Sequence, residues 1–299
     1  RDLWKEGFFY FVFFEGAAMA SINTNIMAYK AETALKVTNR KMTTAMERLS
    51  TGYKINRAGD DPAGLAISTR MTAQITGYEM AAANTADAIS MLETVEGALS
   101  EVAALMQRMR QLAVQASSET YSTNDRAAAD TEYQQLEAEV TRIVKDTKWN
   151  TMAVLSGAGP TATAKGTFLI QVGADSGMTI GVTLGSMGLA SGETLNDLNA
   201  MVITDQAKAS ISVNKIDAAF DDLNTKRATV GAFMNRLQGA LDNALSMSQE
   251  LTATRSKLLD TDYAETLAEL ARLQIIQQAG NAMLAQANAQ PQSVLALLR

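Results

Sequence analysis

The 299-residue chain has no cysteine and no histidine, and only three prolines. Without thiols there is no disulfide framework, no thiolate nucleophile and no Cys-ligated zinc or iron–sulfur cluster. Without imidazoles the usual metal ligand, the Ser-His-Asp triad and the side chain that exchanges protons near neutral pH are all missing. Chemistry run by carboxylates, Lys or Tyr stays open, so these absences disfavour catalysis without excluding it. Basic residues are outnumbered, 26 Lys and Arg against 32 Asp and Glu, for a net charge of -6. That balance argues against a general nucleic-acid binder, which needs a basic surface. Aromatics are scarce at 6%, and five of the eight Phe and one of the two Trp fall in the first 14 residues. The remainder is Ala-rich, which favours helices that approach closely.

Residues 1–20 stand apart. Their apolar run, Gly7–Phe14, is far shorter than the roughly 20 residues needed to span a bilayer, and no membrane span is expected. Two readings are open for the 1–19 segment. Its basic start, apolar middle and small-residue end look like a secretory signal. Alternatively it is an appended or upstream translated sequence, with Met19 as the natural start. It is set aside from the expectations about fold.

After it, apolar residues recur at Ile22, Ile26, Tyr29, Leu35, Met42, Met46, Leu49 and Tyr53. Steps of three, four and seven mark one face of a helix. The pattern breaks at Thr51-Gly52 and at Gly59-Asp60-Asp61-Pro62. An Asp before Pro is a good helix start, because the carboxylate accepts free backbone N–H groups and proline suits the first helical position. Asp60 and Asp61 therefore read as cap and loop contacts rather than as an acid/base pair. A long helix is expected over about 62–118, with Ile75, Tyr78, Ala82, Thr85, Ile89, Leu92, Leu99, Val102, Met106, Met109, Ala113 and Ala116 on its face. Ser122 opens a third helix with Tyr133, Leu136, Val140 and Ile143 inward.

Between Gly157 and Gly192 lie nine of the 19 glycines. Thr167–Val172 and Met178–Leu184 are rich in β-branched residues and bracket Gly173–Gly177, a hairpin signal. A small β element is expected over about 157–205, at the far end of the helical body. From Ile216 to Leu258 the apolar steps alternate four and three through six heptads, with polar interruptions at Arg227, Ser248 and Arg255. Leu267, Leu270, Leu273, Ile276, Met283 and Leu284 carry a final amphipathic helix towards Pro291. The expected fold is thus mainly α: a long antiparallel bundle or coiled coil with a β-hairpin. The two ends, 20–61 and 256–299, enclose a core of 62–255. Each end has an apolar stripe with little to bury it, which pairing with each other or with other copies would satisfy. A contact between copies that does not close produces a filament.

Eight collinear segments resemble bacterial flagellin. They are Met19–Asn25, Glu47–Gly52 continuing through Ile55-Asn56 to Asp60–Gly64, Gln107–Gln115, Lys215–Asp217, Asp260–Tyr263, Gln274–Gly280, Ala285–Asn288 and Val294–Arg299. The resemblance covers about 20–156 and 206–299. It implies an extracellular subunit of the flagellar filament, exported unfolded through the flagellar type III apparatus and serving motility. Its terminal regions would be disordered in the monomer and paired in the filament. The short centre implies a small member without large outer domains. The implied assembly residues are Ile22, Ile26, Leu35, Met42, Met46, Leu49, Leu267, Leu270, Ile276, Met283, Leu297 and Leu298, with loop contacts at Arg57, Asp60 and Asp61.

Implied partners are further copies, the flagellar cap, the hook–filament junction and an export chaperone. An innate receptor, Toll-like receptor 5, would read Arg108, Leu112 and Glu139, with Gln111 standing where recognised members commonly have Glu. If residues 1–18 are retained, their aromatic cluster would enter the packed inner core and hinder polymerisation. A flagellin-like surface adhesin or polysaccharide-binding protein is the alternative function. No enzymatic activity and no cofactor or metal is expected.

Overall fold

The computed structural model describes residues 24–156, 166–187, 195, 198 and 201–297, with side chains described to 290. The 1–19 segment, Ile22, Leu298 and part of the glycine-rich centre lie outside the described residues, as does the side chain of Leu297. Five helices, α1 (Ile26–Thr51), α2 (Pro62–Ala116), α3 (Thr123–Asp146), α4 (Gln206–Leu259) and α5 (Tyr263–Leu297), account for most of the described chain. Two antiparallel two-stranded ladders complete it: β1 (Lys148–Trp149) with β2 (Met152–Ala153), and β3 (Thr167–Gln171) with β4 (Thr179–Thr183). The mainly α expectation holds. The chain divides into a terminal unit, 1–68 with 255–299, and a core unit, 69–254.

In the terminal unit α1 and α5 run antiparallel, with Asn39 beside Gln277 and Leu35 beside Gly280. Asn25 caps α1, and its side chain accepts from the Ala28 N–H. At the other end Gly52 takes the left-handed conformation, φ 75°, and its N–H reaches back to the Arg48 carbonyl, the usual way glycine closes a helix. A Cβ there would also lie 3.0 Å from the Tyr263 hydroxyl. The two chain segments then cross-link by backbone bonds, Lys54 N–H to Leu259 C=O at 2.6 Å and Thr261 N–H to Gly52 C=O at 2.9 Å. Asp262 caps α5, accepting from the Ala264 and Glu265 N–H groups. The helix then runs through Pro291 to Leu297.

The core unit packs α2, α3, α4 and the longer hairpin around one apolar interior. On α2 the buried series Leu92, Val95, Leu99, Val102, Met106, Met109 steps by three and four. On α4 the buried residues Ala209, Ile216, Leu223, Val230, Leu237 and Ala244 fall every seventh position, and the alternate seam positions Phe220, Arg227, Met234 and Leu241 are half-buried. Arg227 resolves its place in the seam by pairing with Glu96, Nη2 to Oε1 at 2.6 Å. The α3 start is a reciprocal capping box: Ser122 accepts from the Asp125 N–H, and the Asp125 carboxylate accepts from the Ser122 N–H. Tyr133, Val140 and Val144 point inward from it.

The hairpin pairs Thr167 with Thr183 and Gln171 with Thr179. Phe168, Ile180 and Val182 are buried while Leu169 faces out. It does not sit at the far end of the helical body, as expected. It lies alongside α2, with turn residue Ala174 against Gly77 and Leu184 sharing an apolar crevice with Val95 and Leu99. Its buried face needs the wide side of a helix, which an end does not offer. The β1–β2 ladder was not anticipated: its two turn residues, Asn150 and Thr151, both have positive φ, and no glycine marks the spot.

Candidate assembly surface

The terminal unit divides its apolar residues between a buried seam and an exposed remainder. Toward α5, α1 presents Ala28, Ala31, Leu35, Thr38, Met42, Ala45 and Leu49, all buried or half-buried and spaced three and four apart. Facing them are Thr266, Leu270, Leu273, Gln277, Gly280, Leu284 and Ala287. Four expected assembly residues, Leu35, Met42, Leu49 and Leu270, thus lie in the seam within one chain. Of the remaining described ones, Ile26, Met46, Leu267, Ile276 and Met283 are exposed, Leu267 at 54% and Met283 at 64%, and they lie on more than one side of the pair, since Leu267 and Ile276 stand about 180° apart on α5. Tyr29 and Ile275 extend that exposed set. An antiparallel pair carrying so many uncovered apolar side chains presents a surface of the kind that marks protein–protein contact.

Gly280 was missed as a positional residue. A Cβ there would lie 2.8 Å from Leu35 Cδ2 and 3.1 Å from its Cγ, so the glycine is what lets α1 approach. Its one sequence signal is a glycine inside a strong helical pattern, which often marks close packing.

The loop after α1 is organised by carboxylates. Asp60 accepts from the N–H groups of Arg57 at 3.0 Å and Asn56 at 3.1 Å, and these bonds hold its carboxyl below the usual range. Arg57 reaches Glu47 on α1, Nη2 to Oε1 at 2.9 Å. Asp61 accepts from the Ala63 and Gly64 N–H groups at the start of α2. All three expected loop residues therefore make local contacts, and Asp60 and Asp61 serve backbone N–H groups.

One of the three expected receptor residues is not at the surface. Leu112 is 3% exposed and belongs to the apolar interior, so it offers a partner no side chain. Its position, three residues after Met109 on the buried stripe of α2, dictates that. Arg108 pairs with Glu132 at 2.8 Å, while Glu139 pairs with Arg142 at 2.6 Å. The same stretch of α2 lines an open groove with Gln107, Arg110, Gln111 and Val114 against Asp217 and Phe220. Arg110 bridges that groove through paired bonds to Asp217 at 2.6 and 3.2 Å.

Paired end helices with uncovered apolar side chains, and a helical core with its own interior, define a structural subunit that associates through helix packing. Comparison with known proteins narrows the class. The model of the bacterial flagellin N-terminal helical region matches residues 22–159, and that of the flagellin C-terminal helical region matches 213–298. Flagellin of Halalkalibacterium halodurans is 43% identical over 278 residues, covering 93% of this chain and 99% of that protein. Flagellin of Bacillus subtilis is 37% identical over 304 residues with the same shares. The flagellar filament 31.3 kDa core protein of Treponema maltophilum is 37% identical over 284 residues, again at 93% and 99%. The chain belongs to the bacterial flagellin family, as a small member without a large outer domain.

Proposed function

We infer that this chain is the structural subunit of a bacterial flagellar filament, packing non-covalently with copies of itself to serve swimming motility. The observation that carries the reading is the set of uncovered apolar side chains on the α1–α5 pair, Ile26, Met46, Leu267, Ile276 and Met283, in a chain of flagellin type. Burial of such side chains is the main non-directional drive to association. No observation favours the surface-adhesin alternative. The family is one of structural proteins, which fits a subunit without an active site.

Finer readings extend from there. Residues 20–61 and 256–299 act as the assembly segments and 62–255 as the core, with Leu297 and Leu298 contributing at the chain end. Export proceeds unfolded through the flagellar type III apparatus, with an export chaperone, the filament cap and the hook–filament junction as partners and the extracellular filament as destination. Arg108 and Glu139 remain the contacts proposed for Toll-like receptor 5. The test is seeded polymerisation followed by electron microscopy. The unsubstituted chain should form long filaments, and Ile276→Glu with Met283→Glu should leave soluble chains whose core melts normally. Normal filaments from the double variant would overturn the assignment of these side chains to assembly.

A further inference from the structure

Asn25 makes bonds in two directions. Its backbone carbonyl accepts the first helical bond of α1, from the Tyr29 N–H at 3.0 Å, and its side-chain Oδ1 accepts from the Ala28 N–H at 3.0 Å. Its Nδ2 donates to the Ala287 carbonyl of α5 at 2.7 Å, across 262 residues of sequence. Ala287 lies four residues before Pro291. In a helix that carbonyl would accept the N–H of residue 291, and proline has none. An amide has one acceptor and one donor end, and only one orientation satisfies both an N–H on α1 and a C=O on α5.

We propose that Asn25 is a register pin for the terminal pair: it supplies the donor that Pro291 withholds, and so ties the start of α1 to one turn of α5. A slip of one residue between the helices would leave the Ala287 carbonyl, in a half-buried position, without a donor. Proline at 291 makes that carbonyl available to a side chain from outside the helix. Asn25 and Pro291 therefore act as one device. The inference rests on the filament reading only for its consequence, which is that subunits enter the polymer with their ends in a single register.

The experiment is a double-mutant cycle on the full chain with Asn25→Asp, Pro291→Ala and both together. The Asn25→Asp change keeps the cap on Ala28 and loses the donor; Pro291→Ala returns a backbone N–H to the Ala287 carbonyl. Asn25→Asp should raise the critical concentration for seeded polymerisation about fivefold to tenfold, the size expected for one lost hydrogen bond. In the Pro291→Ala background the same change should cost less than about twofold. Asn25→Ser, another capping residue without the amide donor, should behave as Asn25→Asp does. Equal penalties in both backgrounds, or no penalty from Asn25→Asp, would overturn the pin. Amide exchange along α5 in the unassembled chain, slowed by Asn25 only when residue 291 is Pro, reads the same coupling without a polymer. A chain that exchanges as expected yet never polymerises would strike the filament reading and leave the pin standing.

Discussion

Replacing Gly280 by Val tests whether the close approach of α1 and α5 holds the terminal pair together. The missing side chain is what admits Leu35, since a Cβ would stand 2.8 Å from Leu35 Cδ2 and 3.1 Å from Cγ. Val adds three carbons where even one collides. Overpacking of this kind costs about 1–3 kcal/mol. Against it, Val is a better helix former than Gly by about 0.3 kcal/mol. The net loss expected is about 1–2 kcal/mol, a factor of about 5–30 in the equilibrium. Leu35→Ala alone empties a half-buried site and should cost about 1–2 kcal/mol, below the range for a fully buried Leu. In the double variant the Val occupies the space that Leu35 vacates, so the two effects should fall short of additivity by about 1 kcal/mol or more. Critical concentrations of the four chains in seeded polymerisation measure this directly. Gly280→Val with wild-type assembly, or penalties that simply multiply, would refute the packing argument.

Ser122→Ala removes one half of the α3 capping box and should lower core stability by about 1 kcal/mol in urea unfolding. The same loss from an exposed polar residue elsewhere on α3 would deny the cap its role. Asp60 gives a pH signature. Its carboxyl is held low by the N–H groups of Arg57 and Asn56, so its contribution is present above the ordinary carboxylate value of 3.8 and is lost as pH falls through the lower folded value. Protection of the amides in residues 53–61, taken relative to the intrinsic exchange rate at each pH, should therefore fall only in that acid window, and Asp60→Asn, poorly protected at every pH, should flatten the profile.

Much of the fold was legible because single helices with one buried face write their period into the sequence. The seven-residue series of α4, from Ala209 to Ala244, and the Asp61-Pro62 start of α2 are of that kind. So is the β3–β4 hairpin, whose inward Phe168, Ile180 and Val182 sit among β-branched residues. The assembly surface was only half legible. On α1 and α5 both the seam and the exposed surface carry apolar residues, so spacing alone could not separate Leu35 from Ile26 or Leu270 from Leu267. Some seam positions are small or polar, such as Ala31, Thr38 and Gly280, and small residues leave a weak hydrophobic trace. Leu112 erred the other way. Its spacing from Met109 already placed it on the buried stripe, and resemblance assigned it to a surface. The β1–β2 turn escaped because Thr151 holds φ 67°, a conformation β-branched residues rarely adopt.

The distribution of large and small residues on the end helices bears on when they order. In a self-sufficient helical pair the larger apolar side chains face inward, and here many face out. The seam holds Ala28, Ala31, Ala45, Thr38, Gln277 and Gly280 beside its few Leu and Met, while Tyr29, Ile275, Leu267 and Met283 are uncovered. Burial is worth roughly 1.5–3 kcal/mol for a large aliphatic side chain and far less for Ala or Gly. The seam alone therefore contributes little against the conformational entropy of fixing some sixty residues, which is about 1–2 kcal/mol each for the backbone. Much of the apolar area is buried only when other surfaces cover the exposed side chains. The end pair of an unassembled chain is then only marginally ordered and is stabilised on addition to a polymer, whereas the core unit, with its own apolar interior, has no such dependence.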